Sequence, residues 1–139
     1  MDHLPSAARV RRGIVRLNRR LRQERRDGSL STNRLEVLGR LHRHGPATPG
    51  EVAAALRQRP QSLTRVFAEL ETEGLMARAA GTVDRRQSVL SLTDAGRLAL
   101  EGDMSDRDIW LAEAMKSLSP TERGVLELAA ALMERLADG

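Results

Sequence analysis

Apolar residues near the N-terminus recur at the spacing of an α-helix. Val10, Ile14, Leu17 and Leu21 follow one another at steps of four, three and four residues, which places them on one stripe of a helix. Arginines occupy the other faces of that helix. The pattern therefore predicts a long amphipathic opening helix, which Asp27-Gly28-Ser29 is expected to end.

A second helix is predicted by the next set of apolar positions, which are Leu35, Leu38 and Leu41. Thr32 or Asn33 is expected to cap its start, because a short polar side chain can accept a hydrogen bond from a free amide of the first turn. His44-Gly45-Pro46 combines a glycine with a proline and is expected to end it.

Two short helices joined by a tight turn are predicted to follow. Thr48-Pro49-Gly50-Glu51 is a capping box with proline at the first helical position, so a third helix is expected over roughly residues 49–57. Pro60 marks the start of a fourth helix, which Gly74 closes. The predicted buried face of the fourth helix consists of Leu63, Val66, Phe67 and Leu70. This arrangement is typical of a helix-turn-helix.

After Gly74 the hydrophobic period shortens. Leu75–Ala80 and Val89–Leu92 are short apolar stretches on either side of a charged segment, residues 81–86, and they predict a β-hairpin. Thr93-Asp94 is expected to cap a fifth helix, interrupted near Gly102-Asp103.

A last helix is predicted to begin at a second capping box, Ser119-Pro120-Thr121-Glu122. Its apolar stripe consists of Val125, Leu128, Ala129, Leu132 and Leu136. The predicted fold class is therefore mostly α with a small β-hairpin wing (α+β).

Composition narrows the possible functions. The 139 residues suit one compact domain, or one core with appended helices. The chain has no cysteine, no tyrosine and one tryptophan, which excludes disulfides and thiolate metal sites and disfavours aromatic RNA-binding platforms. A hydrolase is disfavoured because no nucleophile and base are apparent. We expect neither a metal nor another cofactor, because His42 and His44 lie on diverging faces of a helix. Trp110 is expected to be a core or rim residue.

Charge is distributed unevenly. Residues 1–26 contain nine arginines and two acidic residues, whereas residues 94–139 contain ten acidic and five basic residues. Pairing of the arginine-rich segment with the acidic one, within or between subunits, is the favoured interpretation, and direct phosphate contact is the alternative. No segment is apolar enough to cross a membrane and no secretory signal is evident. We therefore expect a cytoplasmic protein with no membrane partner.

The fourth helix and the hairpin carry the side chains that indicate DNA binding. Gln61, Ser62, Thr64 and Arg65 are predicted to face outwards, with the length and chemistry to reach major-groove edges and phosphates. Glu69, Glu71 and Glu73 further along would repel phosphate. An ordinary solvated helix face is the alternative interpretation.

The hairpin tip offers a second contact. Arg85 and Arg86 are placed to enter a minor groove, and Asp84 is expected to fix an arginine through a bidentate pair. The alternative is a surface ion pair in an exposed turn.

Nearly the whole chain resembles the MarR family of winged-helix transcriptional regulators. The resemblance rests on Ser62-Leu63-Thr64-Arg65, on residues 70–75, and on Asp84-Arg85-Arg86 followed by Leu90-Ser91-Leu92-Thr93-Asp94-Ala95-Gly96. It implies a single domain over residues 1–139, in which residues 1–30 and about 97–139 form a helical dimerisation region and residues about 31–96 form the DNA-binding lobe. It also implies a homodimeric repressor that binds a pseudopalindromic double-stranded DNA operator. Ser62, Thr64 and Arg65 would meet DNA, and Asp84 would orient Arg86 in the minor groove.

The apolar stripes of the terminal helices independently favour a dimer, because they would be exposed unless they packed together. The expected dimerisation residues are Val10, Ile14, Leu17, Val125, Leu128, Leu132 and Leu136. Family members often release DNA when a small anionic aromatic ligand binds, and Arg12, Arg16 and Arg19 are candidate ligand-binding residues. The alternative function is a winged-helix protein-interaction module that does not bind an operator.

Overall fold

The structure, a computed structural model, describes residues 2–24 and 30–139. In these ranges the chain forms six α-helices and one two-stranded antiparallel sheet. The elements in chain order are α1 (Leu4–Gln23), α2 (Thr32–His44), α3 (Pro49–Ala55), α4 (Pro60–Thr72), β1 (Met76–Ala80), β2 (Ser88–Leu92), α5 (Asp94–Met115) and α6 (Pro120–Ala137). The predicted fold class, a winged helix-turn-helix with long terminal helices, is confirmed. The predicted helix break at Asp27-Gly28-Ser29 lies outside the described residues.

The start of α2 differs from the prediction by one residue. Ser31 is the cap, and its Oγ accepts a hydrogen bond from the backbone N–H of Arg34 at 3.4 Å. Thr32 and Asn33, the predicted caps, already belong to the helix. Leu30 and Leu35, which flank the first turn, are both buried in the core. This hydrophobic pair determines where the helix begins, since serine, threonine and asparagine are all suitable caps.

The fifth helix is continuous, so the predicted interruption near Gly102-Asp103 is wrong. α5 runs unbroken from Asp94 to Met115. Gly102 is exposed, and nothing lies within 4 Å of the position that a Cβ would occupy. A single glycine within a long helix costs only about 1 kcal/mol relative to alanine, and 22 residues of continuous backbone hydrogen bonding compensate for it.

The two predicted capping boxes are present. Thr48 Oγ1 accepts the Glu51 N–H at 3.1 Å, and Ser119 Oγ accepts the Glu122 N–H at 3.1 Å. Each glutamate returns the interaction by accepting the N–H of the capping residue. α3 ends at Ala55, two residues earlier than predicted.

The turn between α3 and α4 explains that earlier end. Arg57 adopts a left-handed backbone with φ 54°. The N–H of Arg57 donates to the Ala54 carbonyl at 3.1 Å, and the N–H of Gln58 donates to the Ala53 carbonyl at 2.9 Å. These two bonds form a Schellman cap. The left-handed position of this motif, occupied here by Arg57, usually takes glycine. The chain is thereby redirected within a few residues into α4.

Contacts divide the chain into two compact units, one of residues 26–105 and one of residues 1–25 with 106–139. Residues 26–105 contain the hydrophobic core, whose largest fully buried side chains are Val37, Leu38, Val52, Leu63, Leu70, Met76 and Leu90. In residues 2–24 and 106–139, by contrast, no residue is fully buried. The unit of residues 1–25 and 106–139, called the helical unit below, therefore leaves its apolar stripes accessible.

Candidate nucleic-acid interface

The fourth helix divides into a buried face and an exposed face, as its sequence predicts. Leu63, Phe67 and Leu70 are buried and Val66 is half-buried. On the opposite arc, every predicted DNA-binding side chain is exposed: Gln61, Ser62, Thr64 and Arg65. Packing of the apolar face against α2, α3 and β1 positions the polar face.

The first turn of α4 is held without a side-chain cap. Pro60 occupies the first helical position, and Arg59 precedes it without a capping hydrogen bond. The hydroxyl of Thr64 donates to the Pro60 carbonyl oxygen at 3.2 Å. The hydroxyl oxygen of Thr64 keeps its lone pairs, so it can still accept a hydrogen bond from a donor group on a partner.

Each acidic side chain on the C-terminal half of α4 is paired with an arginine. Glu71 contacts Arg78 of β1 at 3.3 Å. Glu73 and Glu69 both contact Arg34 of α2, at 2.6 and 2.9 Å. The sequence predicted only that these acids would repel phosphate. Arg34 was not predicted as a partner of Glu69 and Glu73, because it lies more than thirty residues away along the chain.

The electrostatics of this cluster favour its charged form. Hydrogen bonds from Arg34 and then from Arg65 lower the pKa of the Glu69 carboxyl below its ordinary value. The hydrogen bonds to Glu69 and Glu73 raise the pKa of the Arg34 guanidinium above its ordinary value. Glu69 therefore remains a carboxylate, and Arg34 a cation, at neutral pH.

The hairpin forms the wing. β1 pairs with β2 in antiparallel register from Met76 opposite Leu92 to Ala80 opposite Ser88. Beyond this register, the Gly81 N–H donates to the Gln87 carbonyl at 2.8 Å, which closes the loop. A Cβ on Gly81 would lie 3.4 Å from the Gln87 carbonyl oxygen and closer still to the Asp84 carbonyl oxygen. This tight approach favours glycine at the base of the wing loop.

Asp84 contacts Arg86, but not in the bidentate form that the sequence predicts. Asp84 Oδ1 accepts both the backbone N–H of Arg86 at 3.0 Å and its Nε at 3.4 Å. One carboxylate oxygen thus makes both contacts, because two residues of separation in a turn bring the backbone amide to the aspartate as well. The side chain of Arg86 is 94% exposed, and Arg85 is exposed beside it.

A third strand-like contact anchors the wing to the core. Ala47, between α2 and α3, exchanges two backbone hydrogen bonds with Leu90 of β2, at 3.0 and 2.7 Å. Leu90 is fully buried. This bridge was not predicted, because a single residue has no strand pattern.

A close-packed corner joins the wing to α5. Thr93 Oγ1 donates to the Gly74 carbonyl at 2.6 Å and accepts the Gly96 N–H at 3.0 Å. A Cβ on Gly96 would overlap the carbonyl oxygen of Leu75. Because Gly74 has φ 75°, glycine also suits the end of α4. The corner ties the end of α4 to the start of α5.

The predicted dimerisation residues are all exposed, on α1 and α6: Val10, Ile14, Leu17, Val125, Leu128, Leu132 and Leu136.

The candidate ligand-binding arginines, Arg12, Arg16 and Arg19, are also exposed. Arg16 and Arg19 line an open groove of about 620 Å³ with Gly13, Leu17, Arg20 and Gln23, whereas Arg12 does not. The guanidinium of Arg20 lies 5.2 Å from the centre of the Trp110 ring, which is a cation–π distance.

Within residues 2–24 and 30–139, no three His, Asp or Glu side chains are grouped so as to hold a metal ion. His42 and His44 are both exposed. Of the helices described, none combines the length and apolar character needed to span a membrane.

Comparisons with known proteins agree with this geometry. Residues 30–88 match the model of the MarR family. An uncharacterized HTH-type transcriptional regulator of Mycobacterium bovis is 37% identical over 125 residues, which cover 90% of this chain and 87% of the relative. The HTH-type transcriptional repressor MdtR of Bacillus subtilis is 35% identical over 88 residues, covering 63% of this chain and 57% of MdtR.

A solved structure extends the similarity to the terminal helices. The crystal structure of a putative transcriptional regulator from Pseudomonas aeruginosa is 36% identical, covers 99% of this chain and 97% of its own, and has a TM-score of 0.85. Both the sequence relatives and the fold lead to one assignment, which the exposed helix face and the wing support chemically. The chain belongs to the MarR family of DNA-binding transcriptional regulators.

Proposed function

We propose that this chain is a homodimeric repressor of a pseudopalindromic DNA operator. In this proposal residues about 31–96 of each subunit form the DNA-binding lobe. α4 enters a major groove and the wing arginines enter the adjacent minor groove. Residues 1–30 and about 97–139 form the dimerisation region. The similarity to MdtR, which is named a repressor, supports repression rather than activation.

One observation carries the DNA-binding geometry: α4 buries its apolar face and leaves Gln61, Ser62, Thr64 and Arg65 exposed together at its N-terminal end. An arginine can grip guanine and a glutamine can grip adenine through paired hydrogen bonds. The exposed Arg86 supplies a guanidinium for the minor groove, where the potential is most negative when the groove is narrow.

The dimer is supported by the lack of burial in the helical unit. Neither α1 nor α6 contains a buried residue. Exposed leucine, isoleucine and valine side chains line both helices, and each contributes roughly 1.5–3 kcal/mol when removed from water. A second copy would cover these stripes. Two-fold symmetry then requires half-sites about one helical turn of DNA apart, or a multiple of it.

Release from DNA by a small anionic or aromatic effector is part of the proposal. Arg16 and Arg19 line the same open groove along α1 and offer positive charge to an anionic effector. Pairing of these arginines with acidic groups of a second subunit is the competing role, since neither makes an ion pair among residues 2–24 and 30–139.

The decisive experiment selects DNA fragments with the purified protein and sequences them. The expected product is an inverted repeat. With that duplex, Arg65→Ala is expected to lose about 1–3 kcal/mol of specific binding and to flatten discrimination at one symmetric pair of base positions. Binding should also weaken steeply with salt. Equal loss on all sequences would reduce Arg65 to a phosphate contact, and selection of no sequence would favour the protein-interaction module.

A further inference from the structure

Arg65, the exposed arginine of α4, is linked to Arg34 of α2 through the carboxylate of Glu69. Glu69 Oε1 accepts a hydrogen bond from Arg65 Nε at 3.0 Å, and Glu69 Oε2 accepts one from Arg34 Nη2 at 2.9 Å. Arg34 thus shares the carboxylate with Arg65 and links it to α2.

Arg34 is held more firmly than Arg65. Its side chain is 22% exposed, against 91% for Arg65. Its second amino group, Nη1, donates to Glu73 at 2.6 Å. A guanidinium held by two carboxylates has little rotational freedom, because its donors lie in one rigid plane.

The hydrogen bond to Glu69 occupies only one of the donor groups of the Arg65 guanidinium. Glu69 takes the Nε–H, and both terminal amino groups are left for another acceptor pair. Guanine presents two acceptors, N7 and O6, on its major-groove edge, and a guanidinium can donate to both. An arginine already oriented at Nε loses less conformational entropy when it makes those bonds.

We propose that Glu69 and Arg34 are positioning residues that orient Arg65 towards guanine, so that base discrimination by α4 depends on a side chain of α2. This inference rests on the proposed function, in which Arg65 reads a base. The isolated Arg65–Glu69 pair is an exposed i,i+4 contact, and such pairs hold their partners weakly. The contribution of Arg34 is to fix the carboxylate. Two guanidiniums and two carboxylates balance, so the cluster adds no net repulsion towards phosphate.

The test compares affinities for the selected operator and for duplexes altered at the base pair that Arg65 reads, at one fixed salt concentration, by fluorescence anisotropy. Glu69→Gln keeps the shape of the side chain and removes its charge. It is expected to lower the preference for guanine roughly 3- to 10-fold at that base pair alone, a part of what a bidentate contact contributes. Arg34→Met is expected to act in the same direction, and Arg34→Lys to retain part of the preference.

Two controls test whether Glu69 acts on base preference through Arg65. In an Arg65→Ala background, Glu69→Gln should cause no further change in base preference. Glu101→Gln removes a similar i,i+4 pair on α5, where Glu101 contacts Arg97 at 3.2 Å, and should leave discrimination unchanged. Far-UV circular dichroism checks folding. If Arg34→Met does not fold, the isosteric Glu69→Gln variant carries the test.

The outcomes separate this inference from the function on which it rests. If Arg65→Ala flattens discrimination and Glu69→Gln does not, the positioning role is overturned while base reading stands. Tighter binding by Glu69→Gln with unchanged discrimination would also overturn it, by showing that Glu69 competes with DNA for Arg65. If Arg65→Ala itself leaves discrimination intact, the base-reading part of the proposed function fails, and the inference with it.

Discussion

Replacing Gly96 with alanine is expected to destabilise the protein, although alanine is the better helix former. Gly96 lies in the first turn of α5, where the chain passes closest to the end of α4. An added Cβ would overlap the Leu75 carbonyl oxygen and lie 2.8 Å from Leu92 Cδ1. The leucine side chain can rotate away, but the carbonyl belongs to the backbone and accepts the Thr93 N–H at 3.3 Å.

The expected cost follows from three contributions. Alanine gains about 1 kcal/mol over glycine within a helix. Overpacking costs typically about 1–3 kcal/mol, and more when backbone must move. Displacing the Leu75 carbonyl also weakens a hydrogen bond worth about 1 kcal/mol. We therefore expect Gly96→Ala to lower the free energy of unfolding by about 2 kcal/mol.

Urea unfolding followed by far-UV circular dichroism measures this change as a lower midpoint at an unchanged slope. Gly102→Ala is the matched control in the same helix, because nothing lies within 4 Å of its added Cβ. That variant should gain about 1 kcal/mol. If Gly96→Ala were as stable as the wild type, the close approach of α5 to Leu75 would be refuted.

Three further predictions concern the dimer, the turn and pH. Leu132→Asp is expected to yield monomers or unfolded chain by light scattering, because it puts a charge in the apolar stripe. Ala130→Asp, on the opposite face of α6, should leave the dimer intact. A normal Leu132→Asp dimer would contradict the proposed packing. Arg57→Gly should raise the free energy of unfolding by about 1 kcal/mol, because glycine adopts φ 54° without strain, and a urea midpoint that fell would argue against this. The hydrogen bond from the Ser119 N–H lowers the pKa of Glu122, so its contribution is present above the ordinary glutamate pKa and is lost as pH falls through the lowered value. Glu122→Gln should therefore reduce the fall in melting temperature on acidification, and an unchanged fall would count against the capping interaction.

Local signals in the sequence predicted most of the fold. The capping boxes at Thr48 and Ser119 each involve residues three apart, and the buried face of α4 follows a helical repeat, so both are visible in a short window. The hairpin was predicted because its strands flank a charged turn. Site residues on α4 and the wing were proposed from the same windows, and their contacts with DNA remain predictions.

What the sequence did not reveal depends on partners far apart along the chain. Arg34 meets Glu69 and Glu73 only because α2 packs against α4, and nothing near Arg34 indicates that it has this role. The bridge from Ala47 to Leu90 joins single residues across most of the lobe. Ser31 was missed for a different reason: three adjacent residues are suitable caps, and burial of Leu30 decides between them.

The solitary indole of this chain makes it possible to follow one unit independently of the other. Trp110 is the only tryptophan, there is no tyrosine, and the indole lies in the unit of residues 1–25 and 106–139 beside Arg20. Intrinsic emission therefore reports on the helical unit, while residues 26–105 are spectroscopically silent at the wavelengths that excite indole. In a melt of one sample, fluorescence follows the unit of residues 1–25 and 106–139, whereas circular dichroism follows the helices of both units. Different midpoints for the two signals would show, without any label, that the units unfold separately.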